Sequence, residues 1–242
     1  MRIRHGHALA GVILTALVAG VAGPAPAMDI VPPGRPVDPF HLYGKEIRFR
    51  VMRNGDEVGR HTVTFERRDG MLEVTSRMNI AIKVLLVTVY RYSYESVGLW
   101  KEGGLQSLTA AVDDDGEKST VDVDLVGGRL RVQGPKGELW TEAGTLPTTH
   151  WNPRQVAQSK LINTLTGGID QVTIADRGEE TVPTGEGPAR ARRFGYSGDL
   201  DIDSWYDADG HWMKMVFKGR DGSTIEYLCV SCRHTNGNGT VR

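Results

Sequence analysis

Little in this chain marks it for a known chemistry. Its 242 residues include only 2 cysteines, too few for a disulfide-built mini-protein. A chain of this length can bury a core without them. It has no excess of one charge, with 29 Lys+Arg against 30 Asp+Glu. A nucleic-acid binder needs a clustered basic surface to neutralise phosphates, so no nucleic-acid partner is expected. Motifs of the common enzyme and cofactor classes are missing too. There is no G-x-S-x-G, no H-E-x-x-H, no Walker loop and no dinucleotide fingerprint. We therefore expect no cofactor and no resident metal, and this absence argues against an enzyme. What remains, 39% hydrophobic and 24% charged residues, is ordinary for a folded domain.

The N-terminus reads as an address. Arg2 and Arg4 precede an apolar run over 8–22, and Ala25-Pro26-Ala27 supplies the small residues of a cleavage site. The run is short for a bilayer span of about 20 residues. We expect residues 1–27 to be a signal peptide, with an uncleaved anchor as the alternative. Its removal takes away two basic residues and no acidic one, leaving the rest mildly acidic. The expected destination is the periplasm of a two-membraned bacterium, or otherwise the outside of the cell. No later apolar run reaches about 18 residues, so the mature protein is not expected to span a membrane. Residues 28–44 contain Pro32, Pro33, Pro36 and Pro39 and read as an extended arm.

From Lys45 the pattern changes. Ile47, Phe49 and Val51 alternate with Glu46, Arg48 and Arg50, the period of a strand with one buried face. Asn54-Gly55 is a strong hairpin signal, and Asp69-Gly70 marks the next turn. The stretch 80–90 is apolar on both faces from Val84 onward and reads as one strand needing a cover on each side. Tyr90, Tyr92 and Tyr94 follow on one face, with apolar bodies and polar tips suited to a cleft rim. Plain packing is the alternative, since tyrosine favours strands. Ile82, Val84, Leu86, Tyr90, Tyr92 and Tyr94 are thus candidate ligand-binding residues, joined by Trp100, His150 and Trp151.

Turns at Gly103-Gly104, Asp115-Gly116, Gly127-Gly128 and Gly137 suit an antiparallel meander. Asn152 and Pro153 read as the cap and first residue of a helix over 153–166. A short strand at 169–174, a polar loop at 176–189 and four closing strands follow. The expected fold is mainly β, an antiparallel barrel or curved half-barrel of about ten strands with one helix. A single domain spans 45–232, with a flexible polar tail at 233–242.

Several stretches recur together in one family. They are 51–61 (Val-Met-Arg-Asn-Gly-Asp-Glu-Val-Gly-Arg-His), Val89-Tyr-Arg-Tyr92, Leu99-Trp-Lys-Glu-Gly-Gly-Leu105, Asp113-Asp-Asp-Gly116, His150-Trp-Asn-Pro153 and 200–207 (Leu-Asp-Ile-Asp-Ser-Trp-Tyr-Asp). The chain resembles an uncharacterised bacterial family of exported periplasmic proteins known as a domain of unknown function. The resemblance covers roughly residues 45–228. That family in turn looks like a distant relative of lipoprotein-carrier-like curved-sheet proteins. No catalytic residues come with the resemblance. Members often end near the last strand, whereas this chain adds Cys229-Val-Ser-Cys232 and a tail.

Cys229 and Cys232 would form a local disulfide in an oxidising compartment. Residues three apart on a straight strand lie about 10 Å apart, so the pair must sit on a turn. Free thiols, or a soft metal site completed by His234, are the alternatives. His61 reads as a half-exposed residue of a strand pair. His150, at a strand-to-helix junction beside Trp151, is the residue on which any enzyme reading would rest. Asp113-Asp114-Asp115-Gly116 and Asp207-Ala208-Asp209-Gly210 read as turns, not calcium loops, because the ligand spacing is wrong. The expected function is binding of an apolar or amphipathic, lipid-like ligand by an envelope protein. A non-catalytic structural or assembly factor with an envelope protein partner is the alternative.

Overall fold

The computed structural model describes residues 36–85, 87–233, 235–236 and 240–241. The expected signal peptide, residues 28–35 of the arm and half of the tail lie outside them.

One helical turn, α1 (Pro39–Tyr43), opens the described chain. Asp38 caps it by accepting from the Phe40 amide, and Pro39 occupies a first-turn position where no N–H is needed. Part of the arm is therefore docked, not merely extended. Tyr43 is the anchor. Its ring stacks on Phe65 at 5.6 Å, and its hydroxyl donates to the Trp151 carbonyl at 2.8 Å while accepting from the Trp212 amide at 3.1 Å.

Eight strands then run as an antiparallel meander. They are β1 (Glu46–Arg53), β2 (Asp56–Arg68), β3 (Met71–Val84), β4 (Val87–Lys101), β5 (Gly104–Asp114), β6 (Glu117–Val126), β7 (Arg129–Gly134) and β8 (Gly137–Glu142). Asn54 (φ 49°) and Gly55 (φ 94°) make the β1–β2 turn. Both have positive φ, the requirement that selects Asn-Gly. A second series returns: β9 (Leu146–Pro147), β10 (Lys160–Ile162), β11 (Ile169–Val182), β12 (Ala189–Gly198), β13 (Ile202–Tyr206), β14 (Trp212–Lys218) and β15 (Thr224–Ser231). β15 pairs with β1, joining both series into one 15-stranded sheet whose outer strands are β8 and β9. All neighbours are antiparallel except β9 and β10. A two-stranded ribbon, β16 (Thr235–Asn236) and β17 (Thr240–Val241), stands apart.

The fold is mainly β, a large curved antiparallel sheet that is not closed, with one short α-helix. The two ends meet without pairing as strands: the Lys136 amide donates to the Thr166 carbonyl at 3.2 Å. The core lies inside the curve. Phe49, Phe65, Leu105, Leu130, Leu161, Tyr206 and Trp212 are all essentially inaccessible. Each such side chain contributes about 1.5–3 kcal/mol by leaving water.

The strand count exceeds the expected ten, and the reading of three stretches changes. The stretch 80–90 is not one strand but the end of the β3–β4 hairpin, where Val84 pairs with Val87. It needs no second cover, because Leu85, Val87 and Val89 stand exposed in solvent. The helix expected over 153–166 is a 3₁₀ turn, η1 (Pro153–Ala157), followed by β10. Asn152 and Pro153 start it as expected, with the Asn152 side chain accepting from the Arg154 amide. Leu161 and Ile162 are adjacent and both fully buried, which suits a strand inside the sheet better than a one-sided helix. The polar segment after residue 174 continues as β11, with a bulge between Asp176 and Glu179 absorbing the register change.

Cys229 and Cys232 form a disulfide with Cα atoms 5.8 Å apart. A shift in the β1–β15 register, between Arg48/Phe49, accompanies this approach. Both cysteines are fully buried. The loop they close is small, so its entropic contribution is only about 2 kcal/mol. Replacing both by alanine should lower the urea-unfolding free energy by about that amount with an unchanged m-value. A loss below about 0.5 kcal/mol would show the bridge to be energetically idle.

Candidate functional site

A pocket of about 220 Å³ lies within the curve of the sheet. Its inner end is built by β2, β3 and the β9–η1 segment. His61 is in phase with the buried Val63 and Phe65 on β2, and Ser76 with Val74 and Met78 on β3. Period-two alternation thus turns both polar residues inward. The Ser76 Oγ and His61 Nε2 are 2.7 Å apart.

His150 reaches the same pocket from a strained backbone, φ 57°. A non-glycine residue in that region costs about 1–3 kcal/mol and persists only when its surroundings hold it. Here the Gln155 Oε1 accepts from the His150 amide at 3.1 Å, and the Tyr206 hydroxyl donates to its carbonyl at 2.9 Å. Trp212 separates the two imidazoles, stacked on His150 at 5.4 Å and edge-on to His61 at 5.6 Å. Met78, Ile202, Met215, Phe217 and Tyr227 make most of the remaining wall apolar, with Leu200 half-buried and Leu165 exposed, and Thr148, Thr149, Asn163 and Thr164 add polar groups. Tyr94 donates to the Thr164 Oγ1 at 2.9 Å and closes one side.

Burial sets the electrostatics. Desolvation lowers the His61 pKa to about 4. Desolvation, reinforced by His61, lowers that of His150 to about 3. Both rings are therefore neutral at pH 7. The Nδ1 atoms of both lack a hydrogen-bond partner among the described residues. An imidazole this weakly basic is a poor general base at neutral pH. Ser76 beside His61 is accordingly a hydrogen-bonded pair without the activation a nucleophile requires.

Few of the residues expected to form a site meet here. Tyr94 and His150 line the pocket. Trp100 and Trp151 do not; they are core, packed edge-to-face at 5.3 Å. Tyr90 and Tyr92 share the face of Tyr94, as alternation dictates, but Tyr90 is tied to Asp114 by a 2.6 Å hydrogen bond. Ile82 is half-buried near the hairpin end, and Val84 pairs with Val87 beyond it. Leu86 and His234 lie outside the described residues. His61, expected to be half-exposed, is buried in the pocket, because its strand face is the core face.

Two other features carry less. An open depression of about 470 Å³ on β3–β6 is lined by both polar and apolar groups, and its charges are internally paired as Arg77–Glu95 and Lys118–Asp113. Asp207, Asp209 and His211 bring potential ligand atoms within 4.8 Å of one another. Asp207 is already bound to the His211 Nδ1 and to Arg233, so these carboxylate and ring atoms are engaged with one another.

An open, curved antiparallel sheet wrapped on its own core defines the class, a β-barrel-like protein. The chain belongs to the family described as Domain of unknown function (DUF6134), whose model matches residues 49–230. None of the curated proteins matches it. Its fold is similar to that of a beta-barrel-like protein of another domain of unknown function, DUF1849, from Brucella abortus. That likeness has a TM-score of 0.55 at 12% identity, covering 81% of this chain and 99% of the other. At that identity the likeness is one of fold.

Proposed function

We propose that this is an exported envelope protein that binds a small apolar or amphipathic ligand inside its curved sheet. The pocket carries the reading: an apolar-walled space of about 220 Å³ with hydroxyl and imidazole groups at its inner end. Small-molecule sites usually hold about 300–1,000 Å³. The occupant is accordingly a single short chain or a ring, not a whole two-chain lipid. Apolar contact at roughly 25 cal/mol per Å² supplies affinity without catalytic groups. The charged, apolar and small-residue order of residues 1–27 supports export to the periplasm.

Solvent extraction of protein purified from its own host, followed by mass spectrometry, tests this directly. A recurrent small amphiphile is expected. Titration with 1-decanol should change the fluorescence of Trp212, which forms part of the wall. Filling the rim with Leu200→Trp should weaken that binding by about tenfold or more, the cost of overpacking. Consistently empty protein with no fluorescence response would end the proposal.

A second reading, a non-catalytic assembly factor, has one observation in its favour. The β3–β4 hairpin end presents Leu85 at 93% exposure with Val87 at 64%. Site-specific crosslinking from residue 85 to an envelope protein, with the pocket empty, would favour that reading.

A further inference from the structure

We infer that the pocket selects ligands whose polar end is uncharged, an alcohol, ester, amide or carbonyl group on an apolar chain or ring, and rejects carboxylates, phosphates and ammonium ions. This rests on the ligand-binding reading above and narrows it to a chemical class.

None of the 16 residues lining the pocket is Asp, Glu, Lys or Arg. Its polar groups are the hydroxyls of Ser76, Thr148, Thr149, Thr164, Tyr94 and Tyr227, the amide of Asn163 and the two imidazoles; the Tyr94 and Tyr227 hydroxyls are already engaged, with Thr164 and Met78. Those imidazoles are neutral, since burial holds both well below their ordinary range. Asp170 stands behind the wall, accepting from the Asn163 amide at 2.7 Å. That amide's oxygen already accepts from the Leu165 and Thr166 backbones. Asn163 is thus committed to the fold.

An anion entering this space would lose its hydration and meet no cation. An ammonium would meet no carboxylate. An unpaired buried ion is penalised far more than a buried hydroxyl or carbonyl, which needs only one or two hydrogen bonds. Such bonds are on offer. Ser76 lines the pocket, and the Nδ1 atoms of His61 and His150, enclosed within the residues that line it and without a partner among the described residues, are hydrogen-bonding capacity the fold leaves unused. The aromatic rims of Trp212, Phe217 and Tyr227 suit the apolar remainder.

The test holds the chain constant and varies the head. 1-Decanol, decanoate and decylammonium are titrated into the mature protein at pH 7.5, read by tryptophan fluorescence and calorimetry. The alcohol should bind about a hundredfold more tightly than either ion. Decanoate or decylammonium binding as tightly as decanol overturns the selectivity while leaving the pocket as a ligand site. Failure of all three overturns both readings. In Leu200→Arg, a guanidinium at the half-buried rim should narrow the alcohol-to-carboxylate ratio by about tenfold. An unchanged ratio in a variant with native circular dichroism would show that the missing cation is not what excludes the anion.

Discussion

Lowering the pH from about 6.5 to about 4 should remove several kcal/mol of stability, through the two pocket histidines. An unfolded histidine titrates near 6.5. In the fold, His61 holds its proton only below about 4 and His150 only below about 3. Between these values and 6.5 the unfolded chain binds more protons than the folded one. Stability therefore rises with pH across that window and falls as the solution is acidified. Between pH 6.5 and 4 each ring accounts for roughly 3 kcal/mol, a large share of the ~5–15 kcal/mol that typically holds a domain together. Carboxylates held low by hydrogen bonds, such as Glu142 and Glu179, begin to lose their own contribution near pH 4.5, so the histidine slope is read between pH 7 and about 5. Asp207, held below its ordinary range by His211 and Arg233 against the cost of its burial, loses its contribution only below about pH 4. Urea midpoints at pH 7, 6 and 5 measure the slope. His61→Gln should flatten it, as should His150→Asn, since asparagine tolerates the left-handed backbone at that position. A level profile between pH 7 and about 5 would mean that the rings are solvated or paired in solution.

Local pattern made much of the sheet legible. The alternation over Ile47–Val51 and the Asn54-Gly55 and Asp69-Gly70 turns place β1 to β3 correctly, because each depends on neighbours in sequence. The β3–β4 turn was not legible. Leu85 adopts φ 47° in a run with no Gly, Asn, Asp or Pro, so the hairpin looks like continuous strand. The length of β11 was hidden likewise, since charged residues fill an exposed strand as readily as a loop.

The pocket was legible in part. His61 keeps step with Val63 and Phe65, and Ser76 with Val74, so their inward orientation follows from period two alone. That rule was the available signal for both residues. The convergence with Thr148, Thr164, Trp212 and Tyr227 had no such signal. It depends on β15 closing against β1 and on the second series folding back, contacts separated by well over a hundred residues. His150-Trp151-Asn152-Pro153 shows why a motif read as one unit can mislead. His150 enters the pocket, Trp151 packs on Trp100, Asn152 caps η1 and Pro153 begins it.

Asp207→Ala should be among the most damaging single substitutions, costing about 3–5 kcal/mol, because it strands the buried His211 and the half-buried Arg233 at once. The carboxylate accepts from the His211 and Asp209 amides at 2.9 and 3.1 Å, and faces the His211 ring at 2.9 Å. The Arg233 Nε, one residue beyond the disulfide, donates to it at 3.2 Å. His211 in turn contacts the Leu42 carbonyl at 2.8 Å. A single side chain thus joins the β13–β14 turn, the docked α1 segment and the end of the last long strand. At about 2–4 °C per kcal/mol for a domain of this size, the melting temperature should fall by about 10 °C or more. Asp207→Asn should cost less, since its carbonyl oxygen still accepts from the turn amides. Arg233→Gln should cost less again, because that end of the network is nearer solvent. In a double-mutant cycle Asp207 and Arg233 should couple by at least about 0.5 kcal/mol. Additive losses would show that the arginine only lies nearby. A melting temperature lowered by less than about 3 °C in Asp207→Ala would mean that Tyr43 alone holds the N-terminal segment in place.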